Sequence, residues 1–498
     1  MKNIGQLING KPRLENIAIT KPVYNPATGE IIAKVQLASN PIINSAISAA
    51  KKAFETWSQV SPAKRCEILF HYKSLIERHI DEIAKLVTLE HGKTLEDAKG
   101  SIARGLEVVT FACNIPDLLK GEYSTQVSTD ISSYSLRQPL GVCAGITPFN
   151  FPAMVPMWMF PIAIACGNTF ILKPSERDPS APMLLVELLY EAGLPANVVQ
   201  VLNGDKNLVN SLIAHPDIAA ISSVGSTAAA KSIYQQAALY GKRVQALGGA
   251  KNHAVIMPDA DMNFVADQLV GAAFGSSGQR CMAISVAVIV GDERDNSLVN
   301  KLIHKARQLK LAAGDNPDAD LGPVNNPEAL ERIQHYIHLG IRNNAKLVLD
   351  GREFHPVDNS KGFFVGPTIF DHVTSEMKIY QDEIFGPVLC VVRVKTLDDA
   401  IALINNNPYG NGTAIFTRNG NAANHFAKTI QVGLVGVNVP IPVPVAYHSF
   451  GGWKSSLFGD VHMHGHEGVR FYTKLKNVTT RWDWNDDVAS GMIMPTHE

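Results

Sequence analysis

The sequence predicts an α/β protein with two parallel-sheet domains and a small β arm. At 498 residues the chain is too long for one hydrophobic core, so two or three domains are expected. Between residues 140 and 239, short apolar runs alternate with segments rich in helix formers, which is typical of parallel α/β sheets. Residues 121–137 are polar, β-branched and alternating, and lack an apolar face wide enough to fold alone.

The N-terminal part is predicted to begin with a hairpin and continue as helices. Residues 21–36 alternate apolar and polar side chains around Asn25-Pro26 and Thr28-Gly29, which indicates a β-hairpin. Residues 41–57 and 62–115 have helical periodicity.

The alternating segment 121–137 is predicted to protrude and pair with another subunit, because an unsupported hairpin needs a partner. Residues 469–481 alternate in the same way, so we expect them to complete that sheet.

The stretch 138–172 contains no charged side chain after Gln138 until Lys173, yet a membrane span is a poor interpretation. Its five prolines would break a helix, and Asn150 and Asn168 would bring polar groups into lipid. We expect a buried strand (140–146), a proline-rich loop and a second buried element.

Strands over 169–173, 198–202 and 218–224 are expected to alternate with helices over 180–192, 206–214 and 227–239. The turn Gly225-Ser226 would place backbone N–H groups and a hydroxyl at a helix N-terminus, where pyrophosphate is favoured. No G-x-G-x-x-G occurs there, so this turn alone is a weak indication of a nucleotide site.

One thiol stands out. Cys281 follows the small-residue turn Gly275–Gly278 and Arg280, and precedes the apolar run 284–290, which is predicted to be a buried strand that holds the thiol rigidly. Gly275 and Gly278 would let substrate approach the backbone. A lone cysteine is more often an inert buried side chain, so the rest of the chain must decide.

Composition excludes several function classes. Lys+Arg number 45 and Asp+Glu 46, so neither nucleic acid nor an anionic membrane is expected as the main partner. The six cysteines form no C-x-x-C pair, and a reducing cytoplasm is the expected compartment. His462, His464 and His466 alternate, but without a partner cluster no metal site is predicted.

Four motifs together carry a family resemblance. F-x-x-x-G-Q-x-C ending at Cys281, P-x-N-F-P at 148–152, E-I-F-G-P-V at 383–388 and F-G-G-x-K-x-S at 450–456 resemble the NAD(P)-dependent aldehyde dehydrogenase superfamily, and the likeness covers nearly the whole chain. It implies a Rossmann-like NAD domain (1–119 and 139–250), a catalytic thiol domain (251–450), an oligomerisation arm (120–138 and 466–485) and a tail (486–498). It also implies a homotetramer, as a dimer of dimers.

The resemblance also assigns roles. Cys281 would be the nucleophile and Asn150 would stabilise the oxyanion. Glu176 would accept the ribose hydroxyls and repel a 2′-phosphate, which favours NAD over NADP. The residues implied to bind the cofactor are Thr147, Phe149, Lys173, Glu176, Arg177, Gly225, Ser226, Glu383 and Phe385.

Leu247 is the most informative departure from the family pattern. It lies 34 residues before Cys281, where most aldehyde dehydrogenases carry the glutamate that activates water. Leucine cannot accept a proton. The protein is then either a catalytically inactive relative or an enzyme whose acyl group passes to a better nucleophile than water. Coenzyme A is such a nucleophile, because its thiol has a pKa of about 8.5.

Retention of Cys281 and Asn150 favours the acyl-transfer interpretation. Arg280, beside the thiol, and the helical Arg104 could clamp a substrate carboxylate, although a salt bridge for Arg280 and a solvated face for Arg104 are the alternatives.

Several segments, including GQRCMA and QALGGAKNH, resemble the CoA-acylating branch of the superfamily. The resemblance implies NAD-dependent oxidation of methylmalonate or malonate semialdehyde to propanoyl-CoA or acetyl-CoA with loss of CO2. Arg104 and Arg280 would bind the substrate carboxylate. A hydrolytic aldehyde dehydrogenase and a non-catalytic NAD-binding protein are the alternatives.

Overall fold

The computed structural model describes residues 2–16, 18–128, 130–292 and 296–482. Two large sheets, of eight and seven strands, carry helices on their faces, and two three-stranded sheets and one two-stranded sheet accompany them in the described residues. This confirms the predicted α/β class with two parallel-sheet domains and a β arm. The predicted tail, 486–498, lies outside the described residues.

The elements are numbered in chain order. The helices are α1 (Asn40–Trp57), α2 (Pro62–Arg78), α3 (Ile80–His91), α4 (Leu95–Ala112), α5 (Ile115–Leu118), α6 (Met154–Ala165), α7 (Ser180–Glu191), α8 (Lys206–Ala214), α9 (Thr227–Leu239), α10 (Met262–Phe274), α11 (Ser297–Arg307), α12 (Pro327–Arg342), α13 (Lys378–Gln381), α14 (Leu397–Asn406), α15 (Gly420–Thr429) and α16 (Gly465–Phe471). The strands are β1 (Lys2–Ile4), β2 (Gln6–Ile8), β3 (Lys11–Arg13), β4 (Thr20–Asn25), β5 (Glu30–Gln36), β6 (Tyr123–Ser128), β7 (Ile131–Pro139), β8 (Val142–Ile146), β9 (Thr169–Lys173), β10 (Val199–Val201), β11 (Ile218–Val224), β12 (Arg243–Leu247), β13 (Asn252–Ile256), β14 (Ile284–Val290), β15 (Lys346–Leu349), β16 (Thr368–Asp371), β17 (Val388–Val394), β18 (Tyr409–Gly410), β19 (Gly412–Phe416), β20 (Leu434–Val437), β21 (Trp453–Lys454), β22 (Leu457–Phe458) and β23 (Thr473–Arg481).

The first large sheet has the strand order β22-β12-β11-β8-β9-β10-β2-β3. Strands β12, β11, β8, β9 and β10 are parallel, and antiparallel strands flank them. Strand β8 lies between β9 and β11, so the order of connection reverses beside it. In open α/β sheets, ligands bind outside the carboxyl ends of the strands at such a reversal.

The uncharged stretch after Gln138 forms strand β8, a loop and helix α6. Every side chain of α6 is buried, which explains why it needs no polar face. Helix α4 approaches it closely at Gly105, where a Cβ would lie 2.3 Å from the Met157 methyl carbon. Within the described part of the chain, none of the helices combines the length and apolarity needed to cross a membrane.

The second large sheet has the order β15-β16-β17-β14-β13-β19-β20, and only the pairing of β15 with β16 is antiparallel. Apolar clusters cover both of its faces. The segment containing Cys281 enters this sheet at the amino end of β14, and the one containing Glu383 enters at the amino end of β17.

The carboxyl ends of the first sheet therefore face the amino ends of the second. The chain then returns to the first sheet, where β22 pairs with β12 and places Leu457 opposite Leu247. Ser456 joins the two halves: its carbonyl accepts from the Gly248 N–H (2.9 Å), and its hydroxyl donates to the Gly249 carbonyl (2.8 Å) and accepts from the Gly410 N–H (3.1 Å).

The arm is an antiparallel sheet of order β23-β7-β6, in which Thr473 pairs with Pro139 and Arg481 with Ile131. The expectation of a strand beginning at Val469 was wrong. Residues 465–471 form helix α16, because Val469 and Phe471 are buried in the core of the first domain and the alternating pattern begins only at Thr473.

Candidate active site

The turn before Cys281 has an unusual backbone. Helix α10 ends at Phe274, and residues 275–278 form a 3₁₀ turn in which Ser276 and Ser277 have φ values of 54° and 50°. Left-handed conformations are uncommon for residues with a Cβ and tend to occur at functional sites, where the surroundings enforce them.

The two glycines of this turn do not serve the purpose expected from the sequence. A Cβ on Gly278 (φ +70°) would lie 2.1 Å from the Gly386 carbonyl oxygen, so this glycine permits packing against the second domain's own backbone. A Cβ on Gly275 would lie 2.6 Å from the Arg280 guanidinium, so Gly275 accommodates that side chain. Neither position is kept open for substrate.

Two asparagines fix the peptide that follows the thiol. The side-chain amides of Asn252 and Asn411 both donate to the Cys281 carbonyl, at 2.9 and 3.1 Å. Asn252 begins β13, and its own side-chain oxygen accepts from the Gly412 N–H at 3.0 Å. The sequence did not reveal this role, because the three segments meet only through sheet pairing.

The Cys281 thiol is strongly disfavoured as an anion. Cys281 is partly exposed as a residue, whereas the other five cysteines are buried. Protein atoms nevertheless crowd its sulfur, and this burial, together with the Glu383 carboxylate, raises the pKa of Cys281 to about 12. The backbone N–H groups of Cys281 and Met282 point at the sulfur and act in the opposite direction, as does Lys93.

Asn150, the predicted oxyanion donor, lies buried in the loop after β8. The Lys93 ammonium donates to its carbonyl at 2.9 Å and lies 4.1 Å from the centre of the Phe151 ring. Lys93 was not among the predicted site residues. It immediately precedes the N-cap of α4, so its sequence position suggests only a helix start.

Arg280 is paired with an acid, as the alternative interpretation allowed. Its Nη2 donates to the Asp97 carboxylate at 2.6 Å. Burial alone would raise the pKa of Asp97, but Lys93 and Arg280 outweigh it and lower the pKa to about 2. Asp97 is therefore ionised at neutral pH.

Arg104 and Arg280 line the same cavity as Cys281. The cavity has a volume of about 400 Å³, and its other walls are mainly apolar, from Trp158, Phe450 and their neighbours. Arg104 bonds Glu107 at 2.8 Å and the backbone carbonyls of Val443 and Pro444. Its guanidinium is thus fixed by the loop at the cavity mouth rather than solvated freely. A larger surface cavity, of about 700 Å³ around Lys310 and Leu349, does not include Cys281.

Three of the predicted cofactor segments meet at the carboxyl ends of β8, β9 and β11. Lys173 ends β9, and its ammonium donates to Glu176 at 3.0 Å, while Lys21 donates to the other carboxylate oxygen at 3.2 Å. Burial opposes ionisation of Glu176, but Lys173, a backbone N–H and Lys21 lower its pKa to about 2. Beside it lies a cavity of about 470 Å³ lined by Glu176, Arg177 and Asn325.

This end of the site fits a ribose-containing cofactor. An ionised carboxylate on the wall of an open cavity is a good acceptor for two hydroxyls. The buried Thr147 hydroxyl, one strand away, has no hydrogen-bond partner among the residues that the structure describes.

Phe149 lies at the centre of a group of rings. The Arg177 guanidinium covers it at 4.8 Å, His91 stacks on it at 5.9 Å and Phe385 meets it edge-on at 5.8 Å. Phe149 and Phe385, predicted from two different motifs, are therefore neighbours across the two domains.

The Gly225-Ser226 turn departs from its predicted form. The Gly225 N–H donates to the Leu247 carbonyl at 3.0 Å, because β11 and β12 continue their pairing to this point, so it is not free for pyrophosphate. The Ser226 hydroxyl accepts from the Ala229 N–H as the cap of α9. Its own proton remains as a donor for an anion.

Glu383 reaches back toward the first domain. Its carboxylate accepts from the Ala250 N–H at 2.8 Å and lies against Gly249, where a Cβ would be 2.3 Å away. Glu383 is partly exposed as a residue, but protein atoms enclose its carboxylate. Burial raises its pKa to about 7, against the opposing effects of the Ala250 N–H, Lys251 and Arg332.

Leu247 is buried at the end of β12, with an exposed fraction of 3 %, and belongs to the core cluster of the first domain. No general base can act from this position, which agrees with the reasoning from the sequence.

Two of the three alternating histidines have structural contacts. His464 packs edge-on against Trp158 at 5.5 Å, and His462 lies 3.1 Å from the Ser449 hydroxyl. Across the residues that the structure describes, no group of three His, Cys, Asp or Glu side chains is placed to hold a metal ion.

Known proteins resemble this chain over nearly its whole length. The sequence profile of the Aldehyde dehydrogenase family matches residues 15–478. The chain is 55% identical to the malonate-semialdehyde dehydrogenase of Pseudomonas aeruginosa over 97% of each chain. It is 49% identical to the human mitochondrial methylmalonate-semialdehyde/malonate-semialdehyde dehydrogenase [acylating], with 95% of this chain and 89% of the human one covered. A Sinorhizobium meliloti protein solved in complex with NAD superposes with a TM-score of 0.96 at 50% identity, covering 97% of this chain and 99% of that one. The chain belongs to the aldehyde dehydrogenase family.

Proposed function

We propose that this protein catalyses the NAD-dependent, CoA-acylating oxidation of malonate semialdehyde and methylmalonate semialdehyde, yielding acetyl-CoA or propanoyl-CoA with loss of CO2. The observation that carries the proposal is the juxtaposition of Cys281 with two arginines in one cavity, while Leu247 stands in place of a water-activating base. The names of the relatives support the same substrates and, for the human relative, the acylating reaction.

In the first step, the Cys281 thiolate attacks the aldehyde carbon. The carbonyl π electrons move to oxygen, and the resulting oxyanion receives hydrogen bonds from Asn150 and from a backbone N–H at Cys281. The two asparagines that bond the Cys281 carbonyl fix the peptide that follows the thiol, which carries the Met282 N–H. Arg280 and Arg104 hold the substrate carboxylate.

The tetrahedral carbon then releases a hydride, for which bound NAD would supply the acceptor. Glu176 and Lys173 are proposed to hold the adenosine ribose, Thr147 and Ser226 to donate to phosphate, and Glu383 to hold the second ribose. Phe149, Phe385 and Arg177 flank the cofactor, while Gly225 shapes the phosphate turn through its backbone.

Oxidation leaves an acyl group on Cys281 as a thioester with a carboxylate β to its carbonyl. Cleavage of the bond to that carboxylate releases CO2, and its electron pair forms a thioester enolate, which then takes up a proton. The CoA thiolate attacks the thioester carbonyl, and the Cys281 thiolate leaves. The CoA thiol has a pKa of about 8.5 and therefore supplies usable thiolate at neutral pH, so this last step needs no strong base at position 247.

The test is steady-state NADH formation from malonate semialdehyde with and without CoA. We expect one burst of NADH per active site without CoA and sustained turnover with it. Equal sustained rates, with free acid as the product, would establish the hydrolytic alternative. A burst that survives in Cys281→Ala would contradict the proposed nucleophile, and the absence of any burst would favour a non-catalytic NAD-binding protein.

We also propose the division of labour implied by the resemblance: NAD binding by 1–119 and 139–250, thiol chemistry by 251–450, and assembly into a homotetramer through the arm. Exposed apolar side chains on the arm, such as Tyr123 and Leu136, support the assembly proposal. A cytoplasmic location is proposed, since all six cysteines are free.

A further inference from the structure

Two charged side chains connect the predicted oxyanion loop with the predicted carboxylate clamp. Lys93 donates to the Asn150 carbonyl at 2.9 Å, and its Nζ lies 3.6 Å from Asp97, an ion pair too long to be a strong hydrogen bond. Asp97 in turn holds Arg280 at 2.6 Å. The Lys93 side chain is 0% exposed, so this pair is enclosed between the two halves of the site.

The charges leave a surplus of one positive unit. Burial lowers the pKa of Lys93, an effect that Asp97 opposes; with Lys93 and Arg280 protonated and Asp97 ionised, the three side chains carry one net positive charge. The neighbouring His91 stays neutral, because burial and Lys93 hold its pKa well below the usual value. The Lys93–Asp97 pair is neutral as a whole, so the positive charge of Arg280 is left for one substrate carboxylate in the cavity that Arg280 lines.

Contacts on two sides orient the Arg280 guanidinium. Its Nη2 is bonded to Asp97, and its plane packs against Gly275, where a Cβ would lie 2.6 Å from Nη1. The other edge of the guanidinium is left for a ligand in the cavity that Arg280 shares with Cys281. Guanidinium forks recognise carboxylates through such an edge, provided that their orientation is fixed.

We propose that Asp97 is a positioning residue that sets the preference for carboxylated aldehydes by orienting Arg280, with Lys93 holding Asp97 and the Asn150 loop in register. This inference rests on the proposed function, because it assumes a substrate with a carboxylate. Asp97 acts through Arg280 and does not itself contact the reacting atoms.

The measured quantity is the ratio of kcat/KM for malonate semialdehyde to kcat/KM for propanal, in the presence of NAD and CoA. Asp97→Asn keeps the side-chain shape and one acceptor but removes the charge, and we expect the ratio to fall about tenfold. Asp97→Glu should recover part of it. Asp81→Asn is the matched control, since Asp81, on α3, forms an exposed ion pair with Lys99 of α4, the helix that also carries Asp97.

A double-mutant cycle tests whether Asp97 acts through Arg280. In an Arg280→Gln background, Asp97→Asn should cause no further fall in the ratio, because the residue that it orients is gone. A further tenfold fall would overturn the inference. Gly275→Ala supplies a second route, since it displaces the guanidinium without touching Asp97, and should lower the ratio as well.

Different experimental results would contradict the positioning inference and the proposed function. If Arg280→Gln lowers the ratio but Asp97→Asn and Gly275→Ala leave it within twofold, the positioning inference is wrong and the proposed function stands. If Arg280→Gln itself leaves the ratio unchanged, carboxylate recognition by this residue is wrong, and the inference is overturned with it. Thermal unfolding of each variant separates these outcomes from a loss of folded protein.

Discussion

At the scale of single residues, the resting thiol poses a chemical problem. Burial and the Glu383 carboxylate raise the pKa of Cys281 to about 12, so the protein without ligands holds a protonated, weakly nucleophilic sulfur at neutral pH. Glu383, with a pKa of about 7, becomes anionic in the same pH range in which the enzyme would operate. Moving or neutralising this carboxylate would lower the pKa of Cys281, while burial, the larger cause, would still hold it above its usual value.

Replacing Glu383 by Gln should make Cys281 more reactive than it is in the wild type, and this difference should grow as the pH rises. Above a pH of about 7, the wild-type carboxylate is ionised and disfavours the thiolate, whereas the variant has no such charge. Without NAD, the ratio of the iodoacetamide alkylation rate of the variant to that of the wild type should be near one at pH 5.5 and should increase through about pH 7.

Two further variants control this experiment. Cys281→Ala identifies the alkylated residue, and Glu376→Gln changes an exposed glutamate with no enclosed carboxylate. Identical pH profiles for Glu383→Gln and wild type would contradict the electrostatic role.

Position 247 offers a second test at this scale. Leu247→Glu places a carboxyl group where burial would raise its pKa toward the range of a general base. We expect slow NADH turnover without CoA, together with a loss of about 2 kcal/mol in the free energy of unfolding from burial of a polar group. Leu247→Gln is the control of equal shape, and no gain of Glu over Gln would contradict the expectation.

At the scale of elements, the turn 275–278 depends on its two glycines in different ways. A Cβ at Gly278 meets the Gly386 backbone at 2.1 Å in a left-handed conformation, so Gly278→Ala should cost at least about 3 kcal/mol of unfolding free energy. At Gly275 the obstacle is the far end of the flexible Arg280 side chain, so Gly275→Ala should cost less than about 1 kcal/mol. Denaturant unfolding of both variants measures the difference, and equal losses would contradict this account.

Local patterns predicted the elements of the first domain well. Helix α9 and strand β11 have the bounds expected from the sequence, because turn residues and helix formers delimit them clearly. Helix α16 was missed, since residues 469–481 alternate evenly and only burial of Val469 and Phe471 in a distant core distinguishes the helix from the strand.

Only those site residues that belong to family motifs could be predicted from the sequence. Family motifs identified Cys281, Asn150 and the two arginines as candidates, but their roles stay predictions. Lys93, Asp97 and Asn252 lie outside the four family motifs, and they reach the site only through contacts between segments far apart in the chain. Such contacts leave no signal in one sequence.

At the scale of the whole molecule, one face of the arm carries several apolar side chains, two of which are exposed. Tyr123 and Tyr134 are paired across β6 and β7, and Leu136 follows on the same face, while Leu475 lies on the opposite face because it pairs with Arg137. The exposed fractions of Tyr123 and Leu136 are 66 % and 40 %. This face is where the proposed subunit contact is expected.

Leu136→Lys should therefore weaken assembly, because it buries a charge in the proposed contact. Sedimentation velocity at micromolar protein should show a shift from tetramer to smaller species. Leu475→Lys, on the other face, is the matched control, and dissociation by the control alone would contradict the assignment.

Ser456 has a consequence for how large ligands enter and leave. Its three hydrogen bonds tie the link between the two sheets to a loop of the second domain, and the residue is almost fully buried. A hinge-like opening of the cleft would have to break these bonds. Exchange of NADH for CoA should then proceed by local movements of Glu383 and Phe149 within a fixed opening, one ligand after the other.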